Sequence, residues 1–286
     1  MEKKLTAQGP RDRKSYTVTL PIEWIKMQEL DKTKSVELDI IGNKVIISQH
    51  KEKEQMVIIN GRDYPTSMIK VLQGLYRAGV NEVRLNLADN SMVEEILDII
   101  EKKLIGYEII EQKKDYLIIK DITKESEEDF KIVFRRIFLL LLELSESDDI
   151  VQIKTLDRNI KKLINYCQRI LMKKGHVEFT KTPLYYLILD RLEKLKDEFN
   201  WLLQITAPNK KEYPELKEIN ILLRKAYELF YKYDAKRYGG YEYRTFQLKN
   251  KIKLDVKVEP AVIHLHNLAR ILNSLYGDIF TLRFDE

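Results

Sequence analysis

The feature that most constrains this chain is a change in hydrophobic periodicity near residue 127. Beyond that point, apolar residues recur at a spacing close to 3.6, the period of an α-helix, over five long segments. These segments are Phe130–Leu144, Ile150–Met172, Pro183–Ile205, Leu216–Tyr233 and Ala261–Leu282. Helices of this length bury their apolar stripes against one another. The pattern therefore predicts an all-α helical bundle over residues 125–286.

Two local signals interrupt the helical pattern before its last segment. Apolar and polar residues alternate from Ile252 to Val258, which is typical of a strand. The dipeptide Gly239-Gly240 favours a turn. The aromatic residues just before it, Tyr227, Phe230 and Tyr231, are interpreted as helix core.

A small α/β connector domain is predicted over residues 51–124. The order of patterns is a strand at Met56–Ile59, a helix from the cap Thr66/Ser67 to Gly79, a strand at Val83–Leu87, a second helix ending at Gly106, and a hairpin over 109–119. Neither standard glycine-rich phosphate loop occurs in this region, so a nucleotide site is not indicated.

The first 50 residues read as short strands around one short helix. Tyr16–Leu20 is β-branched and aromatic, and Pro21 suits the first position of a helix. Alternating apolar residues over 36–40 and 45–47, with a turn at 41–44, predict a β-hairpin. Because a unit of this size has little core of its own, we expect it to dimerise.

The composition narrows the class of protein. Neither a membrane-spanning segment nor an apolar leader is present, and the single cysteine, Cys167, excludes an internal disulfide. These observations predict a cytoplasmic protein without membrane insertion. His264 and His266 are two residues apart and would diverge on a helix, and no nucleophile has a neighbouring base in the sequence, so we expect no enzyme.

Basic residues concentrate in two places, although the net charge is only +5. Arg224–Lys257 is rich in tyrosine and lysine, a composition typical of surfaces on which nucleic-acid bases stack. Some of its aromatic residues are instead interpreted as helix core. The other basic place is the N-terminus, with Lys3, Lys4, Arg11, Arg13 and Lys14.

The segment Ser15–Ile25 followed by the hairpin resembles the AbrB/SpoVT DNA-binding module over about the first 48 residues. The resemblance implies a swapped-hairpin dimer whose basic strand and loop residues lie against DNA. The matching positions are Lys3, Lys4, Arg11, Arg13 and Lys14, with Ser15 and Thr17 as phosphate donors. The sequence departs from the family where Glu29 and Thr33-Lys34 replace glycine-containing positions, and Ile22 replaces a frequent lysine.

The chain from residue 127 onward resembles the PhoU phosphate-uptake regulators, and the three-part arrangement resembles archaeal PhoU-related proteins. Lys102–Glu111 is similar to the end of their linker domain, and Glu193 and Asp197 match their E-x-x-x-D motif. Residues i and i+4 share a helix face, so this pair suits a divalent or iron-type metal ion. The other copies of the motif are degenerate: Lys161 replaces an acid after Asp157, and Asn273 stands at another acid position.

These patterns and resemblances together predict a multidomain α+β protein with a swapped-hairpin module at 1–50, a connector at 51–124 and a PhoU-like bundle at 125–286. The predicted function is a phosphate-linked transcriptional regulator that binds double-stranded DNA as a homodimer and contacts a partner such as a phosphate transporter ATPase. The alternative is a protein-interaction regulator that uses the N-terminal module only to dimerise. A third hypothesis is RNA binding through the tyrosine-rich region.

Overall fold

The computed structural model describes residues 2–10, 13–41, 44–49, 56–123, 127–208, 211–254 and 257–284. The chain divides into two compact units, Met1–Glu54 and Gln55–Glu286. The first holds small two-stranded sheets, and the second ends in a helical region, so the layout is α+β. No helix in the described ranges is long and apolar enough to cross a membrane.

The first unit consists of two antiparallel strand pairs and two short helices. In chain order they are β1 (Thr6–Gln8), β2 (Ser15–Thr17), α1 (Ile22–Met27), α2 (Leu30–Thr33), β3 (Val36–Ile41) and β4 (Lys44–Gln49). The hairpin β3–β4 is confirmed with Leu38 opposite Ile47, while the predicted turn residues 42–43 lie outside the described residues. The strand predicted at Tyr16–Leu20 is shorter, because its partner β1 is only three residues long. Pro21 precedes α1 as its N-cap rather than occupying its first position.

The second unit begins with a four-stranded sheet and two helices, in the order predicted from the sequence. The elements are β5 (Val57–Asn60), α3 (Met68–Arg77), β6 (Glu82–Asn86), α4 (Met92–Lys103), β7 (Tyr107–Gln112) and β8 (Tyr116–Asp121). The strand order is β5-β6-β8-β7, parallel between the first two and antiparallel elsewhere. One sheet face packs its buried side chains against α3 and α4.

The helix α3 ends as its sequence predicts. Gly79 has a φ of +85°, and its N–H and that of Val80 donate to the carbonyls of Tyr76 and Leu75. This bond pair is a Schellman motif, in which glycine is preferred because left-handed backbone strains other residues. At the other end Ser67 holds the N-cap position without a side-chain hydrogen bond to the helix.

The remaining helices form one large core. They are α5 (Glu127–Glu146), α6 (Ile150–Lys174), α7 (Thr182–Thr206), α8 (Pro214–Tyr231), α9 (Ala235–Lys251) and α10 (Pro260–Arg283). Five of them match the predicted segments within a few residues. Phe230 is buried as predicted and Tyr227 is partly buried against the core, but Tyr231 is exposed, so its prediction as core is wrong.

The helix α9 was not predicted, and it corrects two interpretations. Gly239-Gly240 lies inside the helix and makes no turn, because Asp234 caps its start by accepting from the N–H groups of Lys236 and Arg237. Thr245 and Leu248 are buried on the inner face of α9. The strand predicted over 252–258 is absent from its described residues, 252–254 and 257–258. This segment connects two helices, and the carbonyl of Ile252 lies 3.0 Å from Nδ1 of His266 on α10 rather than pairing with a neighbouring strand.

The two glycines of α9 give a stability test. A Cβ added at Gly239 or Gly240 meets no atom within 4 Å, so alanine fits and removes the entropic cost of glycine in a helix. We expect Gly239→Ala and Gly240→Ala each to raise the free energy of unfolding by about 0.5–1 kcal/mol in urea titrations. Gly79→Ala is the matched contrast, and its positive φ predicts a loss of stability. Equal effects at all three positions would contradict the assignment of α9.

A buried arginine joins the α/β layer to the bundle. Arg169 on α6 is 0% exposed and donates to both layers of the α/β region. Its guanidinium lies 2.6 Å from Asp121 Oδ2, 2.8 Å from the carbonyls of Tyr76 and Val80, and 2.7 Å from Asn81 Oδ1. Burial would raise the pKa of Asp121, but hydrogen bonds from Thr123 and Arg169 outweigh it and hold the pKa below its usual range. Both groups are therefore charged, and they fix α6 against the sheet.

Candidate nucleic-acid interface

The described residues predicted to contact DNA lie in or directly beside the ribbon formed by β1 and β2. Thr6 pairs with Thr17, Ala7 with Tyr16 and Gln8 with Ser15. A sharp bend follows β1 at Gly9, whose φ is +98° and where an added Cβ would lie 2.7 Å from the carbonyl oxygen of Arg13. This close approach requires glycine, and it places Arg13 and Lys14 directly before β2.

The described cations of the ribbon are exposed and unneutralised. Lys3, Lys4, Arg13 and Lys14 all face solvent, and none has a described carboxylate within ion-pair distance. Arg11, the fifth predicted cation, lies outside the described residues. Exposed, uncompensated lysine and arginine attract phosphate groups and release the counterions bound to them. The arrangement suits a nucleic-acid backbone.

The two predicted hydroxyl contacts are engaged within the ribbon. Ser15 Oγ donates to the carbonyl of Gln8 and Thr17 Oγ1 to that of Thr6, each at 3.3 Å. A contact to phosphate through these protons would replace those long, exposed hydrogen bonds. Ser15 and Thr17 therefore have a smaller expected share in binding than the cations.

The hairpin β3–β4 presents an apolar face with nothing from its own unit to cover it. The strand register places Val36, Leu38 and Ile40 on the same face as Val45 and Ile47. Leu38 is 60% exposed, Ile40 79% and Val45 61%. The only buried large apolar side chain among the described residues of this unit is Leu30. Exposed apolar strands of this kind mark an interface.

Two residues of the first unit other than glycine have left-handed backbone. Glu29 and Lys34 both have a φ of +50°, in the left-handed region. This conformation costs side-chain-bearing residues free energy and favours glycine. Both residues flank the short helix α2, Glu29 as its N-cap and Lys34 as its C-cap.

The predicted metal residues are held in ion pairs. Glu193 is bonded to Lys161 Nζ and lies 3.5 Å from the guanidinium of Arg77. Asp197 lies 2.6 Å from Lys196 Nζ, and the same nitrogen is 2.7 Å from Asp157. The packing of α6 against α7 brings Lys161 to Glu193, and Asp157 to the lysine that pairs with Asp197.

This donor set does not fit a hard metal ion. Two lysine ammonium groups lie against the carboxylates that would have to act as ligands, and a divalent cation would meet their repulsion. Within the described ranges there is also no group of three histidine, cysteine, aspartate or glutamate side chains that could hold a metal. Burial lowers the pKa of Lys161 more than its pairing with Glu193 raises it, whereas the ion pairs of Lys196 outweigh burial and raise its pKa.

The single cysteine and the two histidines of α10 are buried or hydrogen-bonded within the helical region. Cys167 is fully buried in α6, and burial raises the pKa of its thiol, which keeps it protonated and unreactive. His264 Nδ1 lies 2.8 Å from Glu198, whereas His266 Nδ1 lies 3.0 Å from the carbonyl of Ile252. The two rings diverge on α10, as the helical spacing predicts.

Comparison with known proteins adds no relative: no family model, curated protein or solved structure matches this chain.

Proposed function

We propose that this protein is a non-enzymatic transcriptional regulator that binds double-stranded DNA through the β1–β2 ribbon. The observation that carries the proposal is the set of four exposed cations, Lys3, Lys4, Arg13 and Lys14, without described carboxylate partners. The resemblance of residues 1–48 to the AbrB/SpoVT module supports the same assignment.

In this proposal the DNA-binding unit is a homodimer. The exposed apolar face of β3–β4 is the natural contact for a second copy, because a single unit of about 50 residues buries too little apolar surface to be stable alone. The swapped-hairpin arrangement of the resembled family is such a contact. It would also double the number of cations presented to one duplex.

In this proposal the helical region binds the partner that regulates DNA binding. Its resemblance to PhoU regulators favours a link to phosphate supply and a protein partner such as a phosphate transporter ATPase. A partner changes DNA affinity only if it binds one arrangement of the dimer more tightly than another. The second candidate function is a protein-interaction regulator whose N-terminal module serves only to dimerise. This function requires only the exposed apolar face of the hairpin and no DNA contact.

Salt-dependent DNA binding separates the two candidates. Duplex from the region upstream of the protein's own gene is titrated over a salt series with the wild type and with Arg11→Ala/Arg13→Ala/Lys14→Ala. Each lost phosphate contact reduces the slope of log K against log salt by about 0.9, so we expect a dimer to lose up to about five units of slope. The expected affinity loss is about 100-fold or more at moderate salt.

The matched control removes three exposed cations elsewhere, Lys70→Ala/Lys114→Ala/Arg136→Ala, and should leave the slope unchanged. A random duplex of equal length measures preference for sequence. DNA binding that is absent, or equal in the two triple variants, would favour the protein-interaction regulator.

A further inference from the structure

A basic groove lies between α4 of the α/β layer and α6 and α7 of the bundle, and has a volume of about 500 Å³. Six basic side chains line it: Lys102, Lys103, Lys154, Arg158, Lys161 and Lys196. Three carboxylates, Asp98, Asp157 and Asp197, are also in its wall. The lining residues carry an excess of three positive charges, which Glu193, paired with Lys161, reduces to two.

All three carboxylates of the groove are ion-paired, and two lysines offset two of their three charges. Asp98 is paired with Lys102, and Lys196 lies between Asp157 and Asp197. The side chain of Lys196 is 5% exposed, so this pair of ion pairs is buried at the base of the groove. The acidic side chains consequently do not remove the attraction for an anion.

Three cations of the groove remain unpaired. Lys103, Lys154 and Arg158 have no ion-pair partner among the described residues. Lys154 and Arg158 are four residues apart on α6, a spacing at which like charges repel and destabilise a helix. An anion bound between them and Lys103 would offset that repulsion.

The spacing of the cations selects an extended anion. Lys154 and Arg158 lie at i and i+4 on α6, and Lys161, which is ion-paired with Glu193, continues the row at i+7, so the row spans roughly 10 Å along one face of the helix. A single orthophosphate is too small to reach the whole row, whereas a chain of phosphoryl groups has charges at successive positions. Lysine and arginine both bind phosphate oxygens, and arginine does so with two parallel hydrogen bonds.

We propose that this groove binds a small anion containing a linear chain of phosphoryl groups. Its volume falls within the range of small-molecule sites, and its concave shape differs from the projecting ribbon proposed to bind DNA. Because Lys103 belongs to α4 and Arg158 to α6, the anion bridges the α/β layer and the bundle. Its binding therefore stabilises the contact between these two layers.

Isothermal titration calorimetry with the full chain tests this site. Inorganic tripolyphosphate is titrated into the wild type, Lys154→Glu/Arg158→Glu and the charge-matched control Lys70→Glu/Lys114→Glu. We expect one site per chain in the wild type and control, and a loss of affinity of about 100-fold in the groove variant. Circular dichroism verifies folding, and Lys154→Gln/Arg158→Gln replaces the groove variant if it is unfolded.

Further titrations identify the anion and separate this site from the DNA-binding ribbon. Orthophosphate should bind more weakly than tripolyphosphate, and ATP without magnesium tests whether a nucleotide is accepted as well as a free polyphosphate. Arg11→Ala/Arg13→Ala/Lys14→Ala should retain tripolyphosphate binding. The proposal is overturned if the wild type does not bind, if the groove variant binds equally well, or if only the ribbon variant loses binding.

Discussion

Replacing Arg169 with methionine is expected to destabilise the Gln55–Glu286 unit by about 3–5 kcal/mol. Methionine keeps much of the volume but removes the closest cation from Asp121, whose side chain is 2% exposed, and leaves it only Lys173 Nζ at 3.8 Å. The carbonyls of Tyr76 and Val80 each lose one of two donors in the same step and keep the Gly79 N–H and the Tyr107 hydroxyl, respectively. Urea unfolding followed by helical circular dichroism measures the change in the free energy of unfolding.

The control for this experiment is Arg136→Met, because Arg136 is exposed on α5 and surface replacements usually change stability by less than about 0.5 kcal/mol. A double-mutant cycle with Asp121→Asn isolates the ion pair. We expect the double variant to be more stable than the sum of the single losses predicts, since asparagine leaves no buried charge. A loss below about 1 kcal/mol for Arg169→Met would show that the two layers do not depend on this contact.

Introducing an aspartate at Ile40 is expected to convert the proposed dimer to a monomer and to reduce DNA affinity by about 100-fold or more. Ile40 lies on the exposed hairpin face opposite Val45, near the turn, and is 79% exposed in the single chain. If a second copy covers this face, the variant buries an unpaired carboxylate there. Sedimentation equilibrium gives the mass, and the DNA titration described above gives the affinity.

The matched control is Ile58→Asp, which changes an isoleucine that is 62% exposed on strand β5 of the second unit. This variant should keep both the dimer and its DNA affinity. A wild-type chain that is monomeric, or an Ile40→Asp variant that remains dimeric, would contradict the role proposed for the hairpin face. Retained dimerisation with lost DNA binding would place Ile40 at the DNA instead.

The elements that the sequence predicted well are those whose local signals agree with their surroundings. The helix α3 has an apolar stripe from Met68 to Tyr76 and a glycine at its end, and both its core face and its Schellman motif follow from them. Interior packing and backbone preference favour the same structure there.

The helix α9 shows the opposite case. Its glycine pair suggests a turn, and the alternation over 252–258 suggests a strand, yet packing against α10 and the Asp234 cap favour helix up to Lys251. The cap and the spacing from Tyr238 to Leu248 were the available signals. Tertiary contacts outweigh local propensity when an apolar stripe has a core to cover.

For the acidic motif, too, the sequence predicts one part of the arrangement and the tertiary structure decides the other. Its spacing places Glu193 and Asp197 on one face of α7, which the sequence alone predicts. That their neighbours are Lys161, Lys196 and Arg77 depends on how three separate elements pack. The charge of the groove is therefore a property of the assembled helices, since the contributing residues lie far apart in the chain.

The sequence by itself determined the order and type of most elements, the basic ribbon and the apolar hairpin face, because periodicity and local charge are properties of short segments. Tertiary structure decided that Arg169 joins the two layers, that lysines neutralise the acidic motif, and that α9 is helical. These outcomes depend on desolvation and on pairing between residues far apart in the chain, such as Arg169 and Asp121. The local sequence around either residue does not predict its partner.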